Sequence, residues 1–256
     1  MYISCCSWAL AGPDDQVLAQ LATIGFQLVD FRPFDFHSDT AQAKMRSLKL
    51  TPSCMATAFG MPEGVSLDSA DAAALTVARN HIIDALGYAA RLGMTRAYLL
   101  PGFDAGTLPM RRYADSLRLL GDCAYEHGIR LCIEHFPGRS LPTVQATLDF
   151  IEDIGHPGLN LVLDVGHAQI SHEDPVEAIA KAGDRLAYVH LDDNDGINDL
   201  HWALGDGVMT LGDLRRTLEA LQGSSYDGPV SLELHPTLPD PIDALTRSLD
   251  LVCQII

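Results

Sequence analysis

The sequence predicts a single (β/α)8 barrel occupying residues 1–256, and three observations carry that prediction. An amphipathic helix, a glycine and a short apolar strand recur in that order along the whole chain. Strand-like runs with turn signals between them number eight. The 256-residue length also suits such a barrel, which commonly takes about 250 residues without splitting into domains.

The first run covers residues 2–8 (YISCCSW). Pro13 followed by Asp14 and Asp15 then makes a fitting helix start, since proline presets the first-turn φ and anions favour the positive end of the helix dipole. Gly25 is placed to close that helix in the left-handed conformation, and residues 26–31 form the second strand. Residues 52–58 and 96–100 supply the third and fourth strands. Between them Leu75, Ala78, Ile82, Leu86 and Ala89 recur three or four apart, the spacing of one helix face. Gly93, Gly128, Gly155, Gly183 and Gly223 repeat the closing role ahead of the runs 96–100, 130–135, 160–166, 186–191 and 229–235. A last helix over about 241–253 completes the count. Alternating strands and helices require parallel strands, right-handed crossovers and helices on the outside. An open doubly wound sheet is the rival, but it usually has fewer strands, and no GxGxxG or P-loop pattern follows any strand here. No linker, low-complexity tract or second domain interrupts the pattern.

Composition narrows the partners. No apolar stretch approaches the roughly 20 residues of a membrane span, and the opening residues carry no base, unlike a secretion signal. Six cysteines, at 5, 6, 54, 123, 132 and 253, show no CxxC pair or zinc-ribbon spacing. Most sit in apolar patterns as small buried hydrophobes, which points to reducing, cytoplasmic conditions. The net charge of −17, from 34 acids against 17 bases, repels phosphate backbones, so nucleic acid is not an expected partner.

Four of the runs end in a side chain able to ligate metal: Glu134 closes IRLCIE, Asp164 closes NLVLD, His190 closes LAYVH and Glu233 closes PVSLE. An acid or imidazole at the end of a buried strand is costly unless something pairs with it. Taken singly, each reads as a strand-end polar group bonded to backbone. In a parallel barrel, however, the carboxyl ends of all strands gather at one pole. Three hard carboxylates and one imidazole brought together there suit a divalent cation.

The motifs IEH, LDVGH, VHLDD and LELH resemble those of the xylose-isomerase-like TIM barrels, the superfamily of sugar isomerases and epimerases and of AP endonucleases. The resemblance covers essentially the whole chain, with its specific motifs confined to residues 129–236. It implies that Glu134, Asp164, His190 and Glu233 hold one divalent ion, Mn²⁺, Mg²⁺, Co²⁺ or Zn²⁺. Within the ketose 3-epimerase branch it also implies that Glu134 and Glu233 are catalytic, moving a proton on the two faces of an enediolate held on the metal. The implied activity is that of an isomerase or epimerase of carbohydrate metabolism, acting on a ketose or related polyol. Elementary chemistry agrees: a proton beside a carbonyl is a weak acid, a metal offsets several kcal/mol of developing charge, and each positioned carboxyl adds roughly 10²–10⁴-fold.

A dehydratase of a cyclic keto-polyol would use the same abstraction and stands as the alternative, with a non-catalytic sugar-binding relative beyond it. A phosphoester hydrolase like the endonucleases would need two further histidines from the third and fourth strands. Those regions read PSCMATAF and RAYLLPGF, without one. Relatives in this superfamily often dimerise, so a homodimer is the implied oligomer.

Further candidates surround the four. His167 follows Asp164 by three residues, where the family's histidine contacts substrate hydroxyls. The segment 192–207 (DDNDGINDLHWALGDG) is long for a barrel connection, as lids and binding loops are. It carries Asp199 and His201, followed by a turn resembling the superfamily's LGxG. With His167 these two resemble the endonucleases' additional zinc triad; substrate contact is the expectation here, a solvated acidic loop the alternative. Arg139 is assigned to a substrate oxygen or to solvent, and Trp8 to an apolar pocket wall. His135 directly follows Glu134, so strand alternation turns it off the barrel axis and into packing, and His235, beyond Glu233, is assigned to packing as well. Without a glycine-rich phosphate cradle, and with only three lysines, the chain favours a non-phosphorylated sugar.

Overall fold

The computed structural model describes all 256 residues as a closed barrel of parallel strands that pair in sequence order. The strands are β1 (Tyr2–Cys6), β2 (Leu28–Phe31), β3 (Thr51–Ala56), β4 (Arg96–Leu99), β5 (Arg130–Glu134), β6 (Leu159–Asp164), β7 (Leu186–Leu191) and β8 (Pro229–Leu232). Ladders between β1 and β8 close the ring, Tyr2 opposite Pro229 and Cys5 opposite Leu232. Outside lie α1 (Asp14–Ile24), α2 (Asp39–Ser47), α3 (Ala72–Arg91), α4 (Thr107–Glu126), α5 (Val144–Ile154), α6 (Val165–Ile170), α7 (Pro175–Ala182), α8 (Leu211–Gly223) and α9 (Pro241–Ile255). No helix is long and apolar enough to cross a membrane.

All eight expected strands form, although β3, β4, β5 and β8 stop short of their expected ends, and three other departures have a visible local cause. Strand β1 stops at Cys6, and Ser7–Ala9 turn into a 3-10 helix, so Trp8 is set by a turn rather than by the pleat. The run expected to reach residue 166 ends at Asp164, because its Oδ1 accepts the backbone N–H of His167 at 2.7 Å and so caps α6. Among the glycines expected to close helices, Gly223 is the exception. It is the last residue of α8, and Ser224 closes the turn instead in an extended conformation, its Oγ donating to the Leu221 carbonyl at 2.8 Å.

Two apolar regions hold the barrel together. The larger lies between sheet and helices, where Val29, Leu99, Leu131, Leu161, Val189 and Leu232 pack outward against residues such as Leu18, Ile82, Leu117 and Leu245. The smaller fills the interior with Cys6, Cys54, Ala56, Tyr98, Cys132, Val162, Ala187 and Tyr188. Strand alternation sends positions two apart to the same face. Cys132, Val162 and Tyr188 therefore lie one layer below Glu134, Asp164 and His190. The buried cysteines serve as small interior fillers, and all six are free thiols.

Candidate metal centre and its surroundings

Glu134 and Asp164 are the final residues of β5 and β6, His190 is the next-to-last of β7, and Glu233 follows β8 directly. All four are buried at the carboxyl pole, and one ligand atom from each lies within 4.8 Å of the others. His190 Nδ1 faces all three carboxylates, at 2.7 Å from Glu233 Oε2, 2.9 Å from Glu134 Oε1 and 3.8 Å from Asp164 Oδ2. That Asp164 oxygen is buried without any hydrogen-bond partner. Three carboxylates gathered on one imidazole leave negative charge uncompensated in a desolvated pole, which would be costly unless a cation shared it. The donor set and its orphaned oxygen fit a hard divalent ion.

The electrostatics of the protein alone point the same way. Burial opposes a charge on His190, yet the Glu233 and Glu134 carboxylates outweigh it and raise the imidazole well above its ordinary value. Burial also raises Glu134, against the His190 bond. Burial acts likewise on Glu233, but there the charge of His190 prevails and holds the carboxyl at about 2. A proton on His190 thus stands where a cation would do the same work.

Trp8, expected as an apolar pocket wall, makes a polar contact with the centre. Its indole Nε1–H donates to Glu233 Oε1 at 3.0 Å, while its ring packs on Phe59 with centroids 5.1 Å apart. The 3-10 turn after β1 is what swings the indole over the end of β8.

A second polar group adjoins the first. His167 Nδ1 lies 2.9 Å from the His135 carbonyl, and its Nε2 sits 3.4 Å from Asp199 Oδ1. The same Asp199 oxygen is 3.1 Å from His201 Nε2, and His201 Nδ1 is 2.6 Å from Asp192 Oδ2, off line for a hydrogen bond. His167, Asp199 and His201 are therefore brought together as the sequence suggested. Burial opposes the imidazolium of His167, but Asp164 and Asp199 prevail and raise it to about 10. Asp192 was not anticipated. Burial, reinforced by the Asp164 charge and opposed by His201, lifts its carboxyl to about 7. The glycine of LDVGH was the available signal for it: a Cβ at Gly166 would collide with Asp192 Oδ1.

The loop from Asp192 is buried at its start, at Asp192, Asp193 and Asn194, and solvated at its tip, where Asp195 Oδ1 accepts from the Ile197 and Asn198 N–H groups in an Asx turn. Asp193 organises it: Oδ1 accepts from Asn194 and Met209 N–H, each at 2.9 Å, and Oδ2 accepts from Gly205 and Gly207 N–H at 3.0 and 2.9 Å. Gly207 lies so close to the Asn194 carbonyl that a Cβ would overlap it, which explains the glycine ending the LGDG turn. An isolated bridge from Asp193 to Trp202 then holds His201 at the mouth of the barrel.

Asp30 was the other residue sequence reasoning missed. It lies buried on β2, below the centre, with Oδ2 4.0 Å from His190 Nε2.

Arg139 stands apart from the four ligand candidates. It is half-buried, donates to the Pro101 carbonyl at 3.0 Å and lies over the rings of Phe103 and Phe136. It borders a cavity of about 420 Å³ with Leu100 and Phe103. His135 packs as expected, with burial first and the His167 charge second lowering its imidazole to about 3. His235 does not: it is exposed, because the chain turns outward after Leu234 and its Nδ1 lies 2.8 Å from the Thr237 hydroxyl. A cavity of about 690 Å³ opens beside Arg130, Gly158 and Arg185 and includes none of these residues. It lies at the amino ends of the strands, where barrels place stability rather than chemistry.

Known proteins resemble this chain throughout. A ketose 3-epimerase of Arthrobacter globiformis is 26% identical over 82% of this chain and 73% of its own length. An inosose dehydratase of Lacticaseibacillus casei is 29% identical over 48% of this chain and 46% of its own. Other leading curated relatives are likewise matched over less than half of their length. In fold, the D-allulose 3-epimerase from Methylomonas sp. crystallised with D-allulose superposes with a TM-score of 0.83 at 18% identity, covering 100% of this chain and 97% of that one. The profile of the xylose isomerase-like TIM barrel matches residues 18–254, and the chain belongs to that family.

Proposed function

We propose that this protein is a divalent-metal-dependent sugar isomerase or epimerase, acting on a ketose or related polyol by proton transfer through an enediolate. One observation carries the reading: Glu134 and Glu233 approach the same imidazole nitrogen, at 2.9 and 2.7 Å, from strands separated by β6 and β7. A substrate carbon over that point has a carboxylate on each side. One carboxylate takes the proton beside the carbonyl, the electron pair moves onto the carbonyl oxygen, and the other carboxyl returns a proton to the opposite face. Such acid–base transfer contributes roughly 10²–10⁴-fold per group.

Glu134, Asp164, His190 and Glu233 would hold the ion, Mn²⁺, Mg²⁺, Co²⁺ or Zn²⁺, which when bound supplies Lewis-acid stabilisation of developing oxyanion charge. Trp8 keeps Glu233 from turning away. His167, Asp199 and His201 offer donors and acceptors for substrate hydroxyls beside the centre, and Arg139 reaches a more distant oxygen. The buried free cysteines accord with a reducing, cytoplasmic setting. Relatives named as a ketose 3-epimerase and a D-psicose 3-epimerase support the substrate class.

A second reading, dehydration of a cyclic keto-polyol, draws on the inosose dehydratase matches. It begins with the same abstraction and then expels a β-hydroxyl. Incubating the Mn²⁺-supplemented protein with ketohexoses and inososes in deuterated water separates the two. An epimerase incorporates deuterium beside the carbonyl and yields the epimer, whereas a dehydratase builds ultraviolet absorbance. No exchange and no absorbance with any of these substrates would refute both.

A further inference from the structure

The carboxylate of Asp30 sits in the middle of the barrel, fully buried, where an apolar side chain would pack at lower desolvation cost. Its Oδ1 accepts from Ser4 Oγ at 2.8 Å and from the Tyr188 hydroxyl at 2.5 Å, and Tyr188 is in turn 2.8 Å from Ser53 Oγ. Those bonds anchor the carboxylate and leave its other oxygen free to point upward. Oδ2 accepts from the Cys6 thiol at 3.7 Å and faces His190 Nε2 at 4.0 Å, with the Ser231 hydroxyl also bonding the carboxylate. That nitrogen is buried and has no hydrogen-bond partner. The rings of Tyr98 and Tyr188 stand edge-on to the imidazole, with centroids 5.0 and 5.5 Å away, and restrict its rotation.

We infer that Asp30 is a positioning residue that selects the tautomer and orientation of His190. A carboxylate below the ring favours a proton on Nε2, which leaves the Nδ1 lone pair facing Glu134, Asp164 and Glu233. A neutral histidine ligates metal only through its unprotonated nitrogen, and the hydrogen bond at the other nitrogen decides which one that is. The Ser53–Tyr188–Asp30–His190 series runs up the barrel axis and ends at the centre proposed above, so this inference rests on that reading. It extends the site inward to β2, a strand that contributes none of the four ligand candidates.

Asp30→Asn tests it. The amide keeps the side-chain volume and an acceptor for Ser4 and Tyr188, but turns either an N–H or a weaker acceptor toward Nε2. Zn²⁺ affinity is measured by competition with a chromophoric chelator, and thermal unfolding is measured on the metal-stripped protein. The dissociation constant is expected to rise roughly 10–100-fold, the scale of lost outer partners of a ligating histidine, with stripped-protein unfolding little changed. An affinity within about twofold of native would overturn the inference. A second measurement needs no variant: ¹⁵N-histidine spectra of the native Zn²⁺-loaded protein should place the proton of His190 on Nε2. A proton on Nδ1, or zinc on Nε2, would overturn it as well. Native protein that binds no Zn²⁺ would instead remove the proposed function, and this inference with it.

Discussion

Replacing Trp8 with phenylalanine isolates one hydrogen bond. The ring stays to pack on Phe59, and the Nε1–H that reaches Glu233 Oε1 at 3.0 Å is lost. The bond is buried and its acceptor is a carboxylate that the His190 charge holds at about 2, hence ionised. Hydrogen bonds to charged groups contribute about 1.5–3 kcal/mol, so kcat/KM should fall roughly 10–150-fold if the bond persists in the transition state. Deuterium exchange into a ketose, followed by NMR at several substrate concentrations, separates kcat from KM. The loss is expected mainly in kcat, since Glu233 would remain present but poorly aimed. A Trp8→Phe protein that keeps its metal and turns over within about threefold of native would return the indole to a mere apolar wall and refute the reasoning.

Other substitutions bear on neighbouring roles. Glu233→Gln should retain the fold and lose at least ~10²-fold in turnover, the size of one acid–base contribution; near-native turnover would remove Glu233 from the mechanism. His167→Ala should weaken sugar binding by calorimetry more than metal binding, and loss of metal instead would make His167 a ligand. Stability should also fall with acid. Unfolded His135 takes up its proton near its ordinary value of 6.5, whereas the buried native side chain does so only at about 3. Between those values the unfolded state binds more protons, so the native state weakens as pH drops, by about 1.4 kcal/mol per pH unit where the difference is fully developed. Urea unfolding of the metal-stripped protein from pH 7 to 5 should therefore show a steeper decline than His135→Gln, and parallel curves would contradict the assignment.

Much of this arrangement was legible because it follows from alternation. Once IRLCIE, NLVLD, LAYVH and PVSLE are read as strands of one parallel barrel, Glu134, Asp164, His190 and Glu233 must meet at one pole. Asp30 escaped because LVDF carries an acid inside a short strand, and nothing local shows that Tyr188, 158 residues away, donates to it. The inward parity of Asp30 was the only clue. Asp192 escaped for a related reason: in a run of acids it resembles a solvated turn, and only Gly166 and His201 closing over it reveal its burial. Trp8 and Asp164 show how element ends blur. A 3-10 turn re-aims the indole, and a carboxylate that ends β6 also caps α6, so side-chain direction there depends on the turn rather than the strand. His235 stands two residues after Glu233, where a continued pleat would turn it inward beside that carboxylate, but β8 ends at Leu232 and the His235 backbone N–H bonds the His201 carbonyl at 2.9 Å instead.

Binding of one divalent ion by the four strand-end side chains is tested most directly by metal content. Inductively coupled plasma mass spectrometry on the native protein and on Glu134→Ala supplies it. About one tightly held ion per native chain and little in the variant is the expected result, because removing one of four ligands breaks the site. Near three ions per chain would revive the phosphoester hydrolase. No bound ion, even after adding Mn²⁺ or Zn²⁺, would contradict the four-ligand centre and the chemistry proposed for it.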